Sequence, residues 1–114
     1  RYSRTEALWR DFAHAFDDAD VLAVTDVYPA GEPPRPGVTG KLIVDAVLDA
    51  TPHRRVAWFP TRDGIAGFLR RELRPGDLCL VLGAGDITLL ATELLATELL
   101  ATELLAGDLL GDPA

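Results

Sequence analysis

An α/β fold, three layers deep with helices on both faces of a parallel sheet, is what this 114-residue sequence predicts. Three observations lead there. Helix-period and strand-like apolar segments alternate along residues 1–90. The strand-like segments are continuous apolar runs, which suit strands buried on both faces. Pro/Gly clusters separate the segments, as they do between packed elements.

The first segment, residues 3–16, reads as a helix. Ser3 and Glu6 have capping-box spacing, and Leu8, Phe12, Ala15 and Phe16 form one stripe. Asp17, Asp18 and Asp20 interrupt it, and Val21-Leu22-Ala23-Val24 follows as a short strand. Residues 26–40 form a loop, because Pro29, Pro33, Pro34 and Pro36 exclude regular structure while Gly31 and Gly37 supply turn freedom. A loop this long in a compact domain tends to be functional or disordered. A helix at about 41–50 carries Ile43, Ala46, Val47 and Ala50 on one face, and a strand occupies 55–59. A helix over 61–74 turns Ile65, Phe68 and Leu69 inward and stops at Pro75-Gly76. A last strand, residues 78–82, runs into Gly83-Ala84-Gly85-Asp86, where Asp86 is placed to cap the final helix. The order α-β-α-β-α-β-α is Rossmann-like, and such domains begin with a strand; the first strand is expected upstream of Arg1. The absence of methionine from the chain agrees with a sequence cut from a longer one.

Residues 1–90 therefore read as the domain and 91–114 as a helical extension built on a five-residue repeat. Leu-Leu-Ala-Thr-Glu stands at 89–93, 94–98 and 99–103, followed by Leu-Leu-Ala-Gly-Asp. A five-residue step advances about 500° on a helix, so successive Leu pairs rotate by about 140° and spread around the circumference. Two readings stand: a local duplication whose distal turns fray, or an oligomerisation helix.

Composition excludes several classes. A formal charge of −7 argues against a nucleic-acid surface. One Cys and two His are too few for a disulfide framework or a structural zinc site. No signal-peptide pattern and no apolar run of about 18 residues is present, so a cytoplasmic location without membrane contact is expected. His14 and His53 read as surface residues, Cys79 as an inert core thiol, and Trp9 and Trp58 as packing residues.

In such a sheet ligands bind beyond the carboxyl ends of the strands, where three loops qualify. Arg1 and Arg4 beside a helix start combine guanidinium forks with free N–H groups, an anion site; alternatively Arg1 frays and Arg4 pairs with a surface acid. Asp26, at a strand end, either orients a ligand amine or hydroxyl or caps a turn. Gly83 and Gly85 begin like a dinucleotide fingerprint, but Thr88 stands where its third Gly belongs, so tight strand-to-helix packing competes. A receiver-type reading of Asp26 fails because Lys41, the only lysine, opens a helix.

Taken in order, Arg-Tyr-Ser-Arg-Thr at 1–5, Thr-Asp-Val-Tyr-Pro-Ala-Gly-Glu at 25–32, Pro-Gly-Val-Thr-Gly at 36–40, and Pro-Gly-Asp-Leu through Gly-Ala-Gly-Asp-Ile at 75–87 form a specific set. It resembles the C-terminal domain of the Mur ligase family, in the branch that adds the first amino acid of the peptidoglycan stem. The resemblance runs from Arg1 to about Leu90. It implies a three-domain enzyme with an N-terminal UDP-sugar domain and a central P-loop ATPase. ATP would phosphorylate the lactyl carboxylate of UDP-N-acetylmuramate, and the amine of L-alanine would attack the acyl phosphate. ATP and Mg2+ would be held mainly by those two missing domains, leaving this chain alone inactive. The family motif His-Arg-Tyr-Ser/Thr-Arg-Thr maps its arginines, which contact the alanine carboxylate and nearby anions, onto Arg1 and Arg4. Tyr2, Asp26, Tyr28, Glu32, Gly83, Gly85 and Asp86 map to segments facing the same cleft. The motif's leading His is absent, and the repeat replaces a short terminal helix. Two rivals remain: a Mur-type ligase for another amino acid, and a stand-alone α/β binding module.

Overall fold

A computed structural model describes residues 1–96, which divide into two compact units, residues 1–71 and the segment from Glu72 onward. The first unit carries α1 (Tyr2–Leu8), β1 (Val21–Val24), α2 (Lys41–Ala50) and β2 (Arg55–Trp58), and all but the last residue of α3 (Arg62–Glu72).

β1 and β2 form a two-stranded parallel sheet, in register from Val21 opposite Arg55 to Val24 opposite Trp58. Phe59 N–H extends the ladder to Val24 O at 2.8 Å. Parallel neighbours require a crossover, which here is residues 25–54 and includes α2. α2 packs on both strands and buries Val44, Ala46 and Val47. Burying a side chain such as Val47 contributes roughly 1.5–3 kcal/mol. Ile65 and Ala66 of α3 are also buried, and its Phe68 ring lies 5.0 Å from that of Phe59.

The expected helix over 3–16 is shorter than its apolar stripe. α1 ends at Leu8, the backbone tightens into a 3-10 turn at Trp9–Phe12, and turns follow. Phe12 and Phe16 still stack, with centroids 6.2 Å apart. Arg54 closes this segment: its Nη1 donates to Asp17 O at 2.9 Å and its Nη2 to Phe16 O. The guanidinium fork thereby joins two consecutive carbonyls, of which Phe16 O also accepts Ala19 N–H at 3.0 Å.

The second unit corrects the sheet expected from sequence. Residues 78–82 are not a strand, and Leu78, Leu80 and Leu82 are 83%, 73% and 75% exposed. The apolar run carries strand propensity, yet a strand exists only where a neighbour accepts its hydrogen bonds, and none pairs with it among the described residues. The first unit is thus α/β around a two-stranded parallel sheet, and a third strand is not seen among the described residues. Cys79 is accordingly exposed rather than a core thiol, although partial desolvation still pushes its pKa up. Beyond it a 3-10 turn spans Gly85–Leu89 and helix continues from residue 90 to 96. The cap position belongs to Ala84, without a side-chain cap bond, so Asp86 lies inside the first turn instead of capping it. The repeat's distal part, residues 97–114, lies outside the described residues. Among the described residues no helix is long and apolar enough to cross a membrane.

Candidate functional site

The site is built by folding the loop over residues 25–40 back onto α1. Two turns shape that loop. Glu32 N–H donates to Pro29 O at 3.1 Å across Ala30 and Gly31, whose φ values are 53° and 82°. Positive φ at both central positions is a type I′ pattern, and Ala30 occupies it against its steric preference. Val38 N–H donates to Arg35 O at 3.0 Å across Pro36 and Gly37, and Gly37 has φ 78°. Pro followed by a positive-φ Gly suits a type II turn.

The ends of the loop are joined by Asp26. Its Oδ1 accepts Val27 N–H at 2.8 Å and Gly40 N–H at 3.3 Å. These bonds give Asp26 the turn-closing role that was one of its two sequence readings. Gly40 opens α2 against the end of β1, so close that a Cβ there would lie 2.0 Å from Thr25 O.

Two contacts tie the loop to α1. Ser3 N–H donates to Glu32 Oε1 at 3.2 Å, and Arg35 Nη1 donates to Glu6 Oε2 at 2.9 Å. Ser3 and Glu6 therefore do not form the expected capping box. Arg1 holds the cap position without a side-chain cap bond, and Ser3 and Glu6 both bond to the loop. Arg35 was missed from sequence, although it is the only Lys or Arg between residues 11 and 40.

Arg1 and Arg4 are exposed, and neither guanidinium makes a hydrogen bond or ion pair among the described residues. The alternative in which Arg4 pairs with a surface acid is thus not realised among these residues. Tyr2 is half-buried in the same turn, and Tyr28 is 49% exposed. Gly83, with φ 147°, Gly85, with φ 73°, and Asp86 lie in the second unit, where Thr88 Oγ1 donates to Gly85 O at 2.8 Å. A Cβ on Gly83 would approach Ile87 Cγ2 to 2.7 Å, a close loop-to-helix packing contact.

Electrostatics favour the ionised form of Glu32. The Ser3 side chain holds its carboxyl below the ordinary carboxylate range, and the Ser3 backbone N–H and the charges of Arg35 and Arg1 act in the same direction. A lowered native pKa contributes stability above the unfolded value, lost as pH falls through the native one. The Ser3 amide resonance, followed by NMR, is expected to titrate with a midpoint below about 4.3, the unperturbed Glu value. A midpoint at or above that value would show that Glu32 is not bonded there. Elsewhere, His14 is exposed and contacts Asp17 at 3.1 Å, His53 is exposed, and Arg10 lies 4.3 Å over the Trp9 ring. Among the described residues no group of three His, Cys, Asp or Glu side chains is placed to hold a metal ion.

Fold and site together define an α/β domain that presents a cationic helix turn clasped by a Pro/Gly loop. No family model matches the chain. Over 94 residues, 82% of the chain, it is 47% identical to the UDP-N-acetylmuramate–L-alanine ligase of Rubrobacter xylanophilus and 52% identical to that of Anaeromyxobacter dehalogenans. Over 87 residues it is 49% identical to the enzyme of the same name from Geobacter sp.. The chain belongs to the UDP-N-acetylmuramate–L-alanine ligase family. It spans about one fifth of the length of these curated relatives, from 19% to 21%.

Proposed function

We propose that this chain is the C-terminal, amino-acid-receiving domain of a ligase that joins L-alanine to UDP-N-acetylmuramate in peptidoglycan synthesis. The observation that carries this reading is the identity of about half the aligned residues to relatives bearing that name. The proposed domain is residues 1–90, with 91–114 as its repeat extension, working in the cytoplasm beside a UDP-sugar domain and an ATPase domain. ATP and Mg2+ are assigned to those neighbours. This chain has no G-x-x-x-x-G-K-S/T phosphate cradle and, among its described residues, no metal cluster.

The chain's own part is binding and orientation. Arg1 and Arg4, whose guanidiniums make no hydrogen bond or ion pair among the described residues, pair with the alanine carboxylate. Two cations on one turn hold the zwitterion by its anionic end and leave the amine free to reach an acyl phosphate. Positioning and charge neutralisation are what such a transfer needs from a lid domain. Tyr2, Tyr28 and Glu32 are the further ligand-facing residues proposed for this unit; Gly83, Gly85 and Asp86, in the second unit, are a separate proposal.

Phosphate release tests the reading. The full-length protein, given ATP, UDP-N-acetylmuramate and L-alanine, is expected to release phosphate, and the 114-residue chain alone is expected to release none. Preference of the full-length protein for serine, glycine or glutamate over alanine would overturn the assignment of substrate.

A further inference from the structure

The two contacts between loop and helix keep step. Residue 3 meets residue 32, and residue 6 meets residue 35. Ser3 stands between the two arginines in sequence, and α1 is a seven-residue helix with no side-chain cap of its own. Its first turn is therefore fixed from outside. The loop is suited to that task, because three prolines and two tight turns flank Glu32 and Arg35 and reduce the freedom lost on closing. Of the two contacts, the Arg35–Glu6 pair is well exposed on both sides, and such pairs contribute little alone. The Glu32 bond to a main-chain N–H acts on the helix backbone directly.

We infer that Glu32 is a positioning residue for the proposed alanine site: its carboxylate, bound to Ser3 N–H, holds the turn that presents Arg1 and Arg4 to the incoming carboxylate. The inference rests on the arginine reading above and goes beyond it by assigning Glu32 an action through the arginines, not on substrate.

Steady-state kinetics of the full-length protein separate the two. Glu32→Ala is expected to raise KM for L-alanine about tenfold, the loss of one charge-assisted hydrogen bond, with KM for ATP and kcat within about twofold. Glu32→Gln keeps an oxygen that can accept Ser3 N–H and is expected to recover most of the affinity. Because Glu32 acts through both arginines, adding Glu32→Ala to the Arg1→Ala/Arg4→Ala pair is expected to raise KM for alanine no further. Equal rises in both KM values, or a further rise when Glu32→Ala is added to the variant lacking both arginines, would overturn the inference. If Arg4→Ala raises KM for alanine while Glu32→Ala does not, the positioning role falls and the arginine site stands. If Arg4→Ala leaves that KM unchanged, the arginine site falls and the inference with it.

Discussion

Gly40→Ala is expected to destabilise the protein by about 3 kcal/mol, near the upper end for overpacking a tight site. The new methyl would lie 2.0 Å from Thr25 O, 3.1 Å from Thr25 C and 3.2 Å from Val24 Cγ1. Two of these atoms are main chain at the end of β1, so no side-chain rotation relieves the contact. The shift would also pull Gly40 N–H from Asp26 Oδ1 and move the start of α2, which carries Val44, Ala46 and Val47 into the core. The cost is steric rather than conformational, since Gly40 has an ordinary right-handed φ of −59°. Gly37→Ala is the matched comparison: φ is 78° with open space around the Cβ position, so only the left-handed penalty of about 1–2 kcal/mol applies. Denaturant unfolding of the full-length protein should therefore place the Gly40→Ala midpoint clearly below that of Gly37→Ala. Equal midpoints would contradict the close approach of α2 to β1.

Arg4→Ala carries the largest expected functional effect. A charge-assisted hydrogen bond to a carboxylate contributes about 1.5–3 kcal/mol, so KM for L-alanine in the full-length ligase should rise roughly 10- to 150-fold. KM for ATP should move little, because the proposal assigns the nucleotide to the neighbouring domains. Arg4 has no partner among the described residues and is exposed, so its removal leaves no buried charge behind and threatens folding little. Parallel increases in both KM values would indicate a general defect in the domain instead.

Local chemistry made some elements readable in the sequence. β1 and α2 lie where their apolar runs and the turn residues before them indicated, and α3 stops before Pro75 as its breaker required. The loop over residues 26–40 was legible from its prolines alone. What failed depended on partners distant in sequence. Residues 78–82 have strand composition but no hydrogen-bonded neighbour among the described residues, and composition does not supply one. The segment after Ser3 leaves the helix at Leu8 and, past a 3-10 turn, is tied by the carbonyls of Phe16 and Asp17 to Arg54, 38 and 37 residues away. At the site, the arginine motif was visible as a pattern, whereas the contacts of Glu32 and Arg35 span 29 residues and emerge only from the fold. Asp26 looked equally suited to ligand and turn until its bond to Gly40 N–H was seen.

The central claim is that the first turn of α1 recognises the carboxylate of the incoming amino acid. Competing L-alanine against L-alaninamide in the full-length ligase, with and without Arg4→Ala, tests it most directly, because the two amines differ only in the group the arginines would hold. The unaltered protein should prefer alanine strongly, and Arg4→Ala should reduce that preference by about tenfold or more, the equivalent of one lost charge-assisted bond. A preference that Arg4→Ala leaves unchanged would place carboxylate recognition elsewhere and contradict the account.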